Sequence, residues 1–143
     1  KRMFASHGLD LVFSKVAIKP GKPVWLGRAG GTLVLGLPGN PTSAMVTARL
    51  FLLPLLAALQ GQTTRDVLRW RHLPLAEPIA DNGPRETFVR AVWEEDGLSP
   101  ISNQDSGAQA ALARADWLIR RPPNAPAEVA GALVSALAFE PRC

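Results

Sequence analysis

The sequence predicts an α/β segment followed by an all-β domain. Short, strand-like apolar runs lead into one long helical run in the first part of the chain. Strand-like runs and loops fill the second part, and the composition changes at Gly61-Gln-Thr-Thr. We therefore predict two units, residues 1–62 and 63–143. A chain of 143 residues with 47% apolar and 20% charged residues can bury a core and is typical of a globular protein.

The first unit is predicted to begin inside a helix. Residues 1–8 fit its last turns, because Gly8 suits the left-handed position just after a helix end. Short apolar runs with β-branched residues follow, separated by turns rich in glycine and proline. They predict strands at 11–18, 24–27 and 32–37, with turns at 19–23 and 28–31. This order is α/β, but it is too short for a complete doubly wound domain.

A long helix should follow the last of these strands. Asn40 is a suitable N-cap, and Pro41 suits the first helical position, where a missing N–H costs nothing. We predict a helix from Pro41 to Gln60 that ends at Gly61, with a kink or break at Pro54.

The second unit is predicted to be a small β domain. Alternating apolar and polar residues predict strands at 67–76, 87–94 and 117–121, joined by loops at 80–85 and 122–126. Residues 106–114 could form at most a short helix. For residues 130–139 the local propensity favours a helix, whereas a closing strand suits the domain better, so both remain open.

The charge is distributed unevenly. Residues 11–65 contain no Asp or Glu. Residues 1–65 carry eight basic side chains and one acidic side chain, whereas residues 66–143 carry eight basic and eleven acidic ones. The net charge of +4 is therefore the sum of +7 and −3. This asymmetry indicates an anionic partner for the first half.

Several classes of protein are excluded by the composition. A single cysteine, Cys143, cannot form an intrachain disulfide or a cysteine-based zinc site. His7 and His72 stand alone without metal-ligand spacing, so we assign no metal site within this sequence. The apolar run Leu50–Leu59 is too short to span a bilayer, and no signal-peptide pattern is present. We expect a cytoplasmic protein that binds neither nucleic acid nor a membrane.

Two segments of the acid-free stretch have the chemistry of an oxyanion site. Lys19-Pro-Gly-Lys22 places two cations on a proline-stiffened turn. Pro38-Gly-Asn-Pro-Thr-Ser43 joins a strand to a helix start, whose unpaired N–H groups and positive dipole end attract anions. Gly39 lets the backbone approach closely, Asn40 begins the helix, and Ser43 could add a hydroxyl. An ordinary capped turn and solvated lysines remain open as the alternative. The segment is neither a P-loop nor a GxGxxG fingerprint.

These residues carry a resemblance to a known family. Residues 16–23 (VAIKPGKP) and 36–43 (GLPGNPTS) resemble the molybdopterin molybdenumtransferase family, which includes the E domain of gephyrin. Residues 85–91 (RETFVRA) are similar to the arginine-bearing strand of the family, and 103–107 (NQDSG) to its Gln-x-Ser motif. The resemblance covers essentially the whole chain, and the first two motifs are its most specific part.

The resemblance implies an activity and a fold. Family members insert molybdate into adenylylated molybdopterin and release AMP, with a divalent metal that is usually magnesium, and they are homodimers of four-domain subunits. This chain would be the C-terminal part of the molybdopterin-binding α/β sandwich plus a small C-terminal β-barrel domain. The residues that match family positions at the molybdate and phosphate pocket are Lys19, Lys22, Ser43, Arg90 and Ser106.

The chain departs from the family pattern in two places. The acidic Gly-Asp-x-Asp segment of the family is absent here and is expected upstream of Lys1, so the catalytic residues are not identified in this sequence. We therefore expect a fragment of the enzyme that is inactive by itself. Asp105 also places an acid beside Ser106. Two alternatives remain: a gephyrin-like binding or scaffold module, and a generic nucleotide-phosphate-binding α/β domain.

Overall fold

The structure, a computed structural model, describes residues 2–102, 104 and 114–139. Its first half contains a helical turn, four strands and a long helix. These elements are α1 (Arg2–Ala5), β1 (Leu9–Ser14), β2 (Ile18–Lys19), β3 (Trp25–Ala29), β4 (Thr32–Gly36), α2 (Pro41–Thr47), a π-helical turn (Ala48–Leu52) and α3 (Leu53–Leu59). The second half contains α4 (Thr64–Val67), β5 (Arg71–Pro74), β6 (Glu86–Glu94), β7 (Gly97–Pro100), β8 (Trp117–Arg121) and β9 (Leu133–Ala138).

Strands β1, β3 and β4 form a three-stranded antiparallel sheet with β3 in the centre. The prediction of one strand over 11–18 is wrong in its bounds. The strand ends at Ser14 because Lys15 adopts a left-handed φ of 59°, which an extended strand does not allow. Ile18 belongs instead to β2, which pairs in parallel with β6 of the other sheet.

The predicted long helix is present from Pro41 to Leu59. The Asn40 side chain accepts a hydrogen bond from the Ser43 N–H at 3.3 Å, and Asn40 is extended at φ −75°, as an N-cap requires. At Pro54 the chain neither breaks nor stops. A π-helical turn precedes α3, and Pro54 lies at the start of α3, where a missing N–H is tolerated. Gly61 then adopts a left-handed φ of 76°.

By length and composition alone, the Pro41–Leu59 helix could cross a membrane, with a mean hydropathy of 1.7. This is weak evidence, because core helices pass the same test. Its residues Thr42, Val46 and Thr47 are fully buried within the protein.

The second sheet has the strand order β2-β6-β8-β9-β5, and β7 also pairs with β6. These pairings do not close into a barrel. The two open ends approach through an isolated parallel bridge between Leu75 and Leu98, so the sheet curves strongly. The predicted strand over 67–76 is wrong at its start, since Thr64–Val67 is helical and the strand is confined to Arg71–Pro74.

Strands β6, β8 and β9 lie where the sequence indicated strands or left a strand open. The strands expected at 87–94 and 117–121 are β6 and β8. The ambiguous segment 130–139 contains strand β9, which pairs on both sides. The short helix considered for 106–114 lies almost entirely outside the described residues.

Two buried clusters form the core. One lies within the second sheet and includes Leu75, Leu98 and Ile119. The other joins the two halves, because Ile18, Val24 and Val46 from the first half pack with three residues from the second half: Phe88, Leu118 and Phe139. The second cluster therefore holds the long helix and the β2 segment against strands β6 and β8.

Leu118 allows this shared cluster to be tested. Truncation to Ala should lower the free energy of unfolding by about 2–5 kcal/mol, because the side chain is 0% exposed and its removal leaves a cavity. Leu133→Ala is the matched control, since Leu133 is 67% exposed on the neighbouring strand and should change stability by less than about 0.5 kcal/mol. Urea unfolding measures both, and equal effects would contradict the shared core.

The turn after β2 packs tightly on the long helix. Gly21 has φ +112°, and a Cβ there would overlap the Cγ2 of Thr47 and lie 3.1 Å from the Cδ1 of Ile18. Thr47 cannot easily move, since its hydroxyl donates to the Ser43 carbonyl at 2.7 Å and the residue is fully buried. Only glycine therefore satisfies both the backbone angle and the space.

We expect Gly21→Ala to destabilise the protein by about 1–3 kcal/mol, from backbone strain and from steric overlap with Thr47. Gly31→Ala serves as the control, because a Cβ at Gly31 meets no atom within 4 Å and its φ is not left-handed. Thermal unfolding of the two variants checks this, and a neutral G21A variant would show that the turn is not held against the helix.

Candidate functional site

An open cleft of about 1270 Å³ lies where the two halves of the chain meet. The lining includes the turn at 19–23, the loop 78–85 and residues of β6. The end of β7 and Gln104 complete it. The parallel pair Lys19–Thr87 between β2 and β6 places the turn and the β6 wall side by side.

Three of the predicted binding residues line this cleft together. Lys19 and Lys22 are both exposed, at either end of the turn whose centre, Gly21, is buried against the helix. Ser43 lies in the first turn of α2 and is only 7% exposed. The packed glycine therefore fixes the backbone of the turn, while both lysine side chains remain exposed and line the same cleft as Ser43.

Gly39 and Asn40 lie next to this group but are not among the residues that line the cleft. The side-chain oxygen of Asn40 is the N-cap acceptor for the Ser43 N–H. Gly39 is exposed, and a Cβ there would meet no atom within 4 Å. Asn40 caps the helix start, and the part of both residues in binding stays a prediction.

Arg90 is placed behind the cleft, not in it. It lies in the middle of β6, is 1% exposed, and its backbone is held by the side chain of Gln104. The Arg90 N–H donates to the Gln104 Oε1 at 3.1 Å, and the Gln104 Nε2 donates to the Arg90 carbonyl at 2.9 Å and to the Ile101 carbonyl at 2.6 Å. Gln104 itself lines the cleft, so Arg90 is connected to it through this amide. Ser106 lies outside the described residues.

The cleft contains charged residues that the sequence analysis did not select. Arg121 lines it and is 3% exposed. Its Nη2 donates to the carbonyl oxygens of Ala80 and Pro126, and its Nη1 lies 3.9 Å from Glu128. Arg121 therefore ties the loop 78–85 to the end of β8. The strand period was an available signal, because Arg120 and Arg121 must point to opposite faces of β8.

Arg120 lies on the opposite face of β8 from Arg121. It is exposed, forms an ion pair with Glu86, and lies over the ring of Trp70 at 5.5 Å from the ring centroid. Arg120 does not line the cleft.

The electrostatics of the cleft favour anions. Its described lining contains four basic side chains and one acidic side chain: Lys19, Lys22, Arg85, Arg121 and Asp81. Lysine and arginine side chains together with a buried hydroxyl are suited to phosphate-like oxyanions. The volume is large enough for a nucleotide-sized ligand. Among the described residues no group of three or more His, Cys, Asp or Glu side chains could hold a metal ion.

The chain is similar in sequence to two protein families. Residues 2–58 match the family described as a probable molybdopterin binding domain, and residues 72–139 match the MoeA C-terminal region, domain IV. The molybdopterin molybdenumtransferase of Synechococcus elongatus is 39% identical over 103 residues, which cover 71% of this chain and 25% of that protein. The one from Haemophilus influenzae is 46% identical over 92 residues, covering 64% of this chain and 21% of that protein.

A solved structure has the same architecture. The molybdopterin biosynthesis MoeA protein from Pyrococcus horikoshii superposes with a TM-score of 0.81 at 27% identity, over 97% of this chain and 34% of that chain. The present chain spans about a quarter of the length of the curated relatives it matches. The two matched regions, the relatives and the shared fold together show that this chain belongs to the molybdopterin molybdenumtransferase family and corresponds to a C-terminal portion of it.

Proposed function

We propose that this chain supplies the anion-binding cleft of an enzyme that inserts molybdate into adenylylated molybdopterin and releases AMP. The observation that carries the proposal is the meeting of Lys19, Lys22 and Ser43 in one cleft whose described lining has four basic side chains against one acidic side chain. Molybdate is a tetrahedral dianion, and the second substrate carries phosphate groups. Both fit a site made of cations and hydroxyl donors.

In this proposal the residues act by positioning and by charge stabilisation, not as a covalent nucleophile. Lys19 and Lys22 provide point charges toward molybdate and phosphate oxygens, and the Ser43 hydroxyl donates to an oxygen near the helix start. Arg90 positions Gln104 at the cleft edge through the paired hydrogen bonds to its backbone. Arg121 holds the loop 78–85 in place through the Ala80 carbonyl. Ser106 is proposed as a further donor on the basis of its match to the family motif.

The family's metal ion and acidic segment are not supplied by the described part of this chain. The described residues do not provide a ligand set for Mg²⁺, and Asp81 is the one acidic side chain among those that line the cleft. We propose that Mg²⁺ binding and the chemical step depend on acidic residues outside this sequence. We also propose that the protein works in the cytoplasm as a homodimer on small anionic substrates, without nucleic-acid or membrane partners.

The cleft assignment predicts that Lys19→Ala/Lys22→Ala weakens molybdate and AMP binding by at least about tenfold. Each lost charge-assisted hydrogen bond is worth about 1.5–3 kcal/mol, and about 1.4 kcal/mol corresponds to a factor of ten. Isothermal titration calorimetry with sodium molybdate and with AMP measures this directly.

Lys15→Ala is the matched control. Lys15 is an exposed lysine from the same acid-free segment, but it does not line the cleft, so its variant should bind like the wild type. Equal affinities in the double variant and in the wild type would reject the site. Binding without transfer activity, even after the upstream part of the enzyme is supplied, would favour a scaffold module instead.

A further inference from the structure

Arg49 is a buried cation that the cleft does not use. It lies in the π-helical turn of the long helix and is 4% exposed. Its Nε donates to the Ala138 carbonyl and its Nη2 to the Val67 carbonyl, both at 2.9 Å. Both partners are neutral, and no described carboxylate lies within ion-pair distance of Arg49. Burial of the guanidinium lowers its pKa, yet an arginine remains charged at neutral pH. The buried guanidinium therefore forms no ion pair with a described carboxylate, and the acidic side chain that lines the same cavity is the exposed Asp66.

Two buried hydrogen-bond donors, one of Arg49 and one of Trp117, lack an acceptor among the described residues. The Nη1 atom of Arg49 is buried and has no hydrogen-bond partner among the described residues. The same is true of the indole Nε1 of Trp117. Both atoms can only donate, and a buried donor without an acceptor is costly. Both residues line one small cavity, so an acceptor bound there would lie close to the two donors.

The cavity has the size and charge for a small oxyanion. Its volume is about 90 Å³, roughly three times the share of one water molecule in the liquid. The lining includes three arginines and one carboxylate: Arg49, Arg69, Arg71 and Asp66. The Asp66 carboxylate already accepts a hydrogen bond from the Thr63 hydroxyl at 2.6 Å. A water molecule could accept from the donors, but it would leave the excess positive charge uncompensated.

We propose that the Arg49 cavity is a second binding site, specific for a single phosphate or carboxylate group. Among the described residues it shares no lining residue with the cleft, so it can be occupied independently. The oxyanion would accept from Arg49 and Trp117 inside, while Arg69 and Arg71 approach it from the exposed rim. Because the cavity borders α4, β8, β9 and the long helix, an occupant would link the helix to the second sheet and stabilise their packing.

The test uses inorganic phosphate and acetate as probes on the Lys19→Ala/Lys22→Ala protein, in which the cleft is disabled. Saturable binding by calorimetry, together with a rise in Tm that saturates at the same concentrations, is the expected result. Binding of phosphate alone, of acetate alone or of both identifies the source of the oxyanion and supports the site in each case.

Variants locate the binding. Arg69→Gln/Arg71→Gln changes only exposed side chains, so it should fold normally and bind the probe about tenfold more weakly. Arg65→Gln removes an exposed arginine from α4 that does not line the cavity, and it should bind unchanged. Arg49→Met should abolish binding if that variant folds. If it does not fold, the Arg69→Gln/Arg71→Gln variant, here called the rim variant, tests whether the probe binds at this cavity.

Three results would overturn the proposal. The first is the absence of saturable binding by either probe. The second is equal loss of affinity in the R65Q protein and the rim variant, which would indicate a diffuse charge effect. The third is binding that occurs only in Glu140→Gln, because the occupant would then be a carboxylate of the chain itself, two residues after Ala138.

Discussion

The close packing of Gly21 on Thr47 is the constraint on which the rest of the site depends. Through this contact the Lys19–Pro23 turn lies on the long helix, while the short parallel pairing of β2 with β6 attaches the same turn to the second sheet. Two lysines on a free loop would lose considerable side-chain and backbone entropy on binding a ligand. Here the backbone is already ordered by packing, and only the exposed side chains remain to be fixed.

Charge placement follows from the same architecture. The long helix has no acidic residue in its first turn, so its positive N-terminal end is not neutralised locally and remains available to an anion. Arg90, Arg121 and Arg49 are each buried by the strands or the helix that carry them. Burying a guanidinium is unfavourable unless its donors are satisfied, and backbone carbonyls such as those of Ala80, Ala138 and Val67 meet part of this demand.

Elements with strong local signals could be predicted from the sequence. Asn40-Pro41 and Gly61 defined the helix ends, and alternation defined β6 and β8. The main error arose where contacts between distant parts of the sequence determine which strand a residue joins. Ile18 leaves its expected strand to pair with Glu86, 68 positions later, and no local pattern encodes that partner. Lys19, Lys22 and Ser43 could be found because they lie in motifs, whereas the role of Arg121 depends on which face of β8 is turned inward.

The uneven charge of the chain also has a physical interpretation. Like charges held in a folded segment repel one another, so an acid-free stretch of 55 residues is a cost to stability unless an anion is nearby. Three cations of this stretch line the two sites, with Lys19 and Lys22 at the open cleft and Arg49 at the smaller cavity. Solvent screens the first pair, whereas the buried guanidinium is screened far less. The need for a bound counter-ion is therefore stronger at Arg49 than at the cleft, even though the cleft is where a substrate can enter and leave.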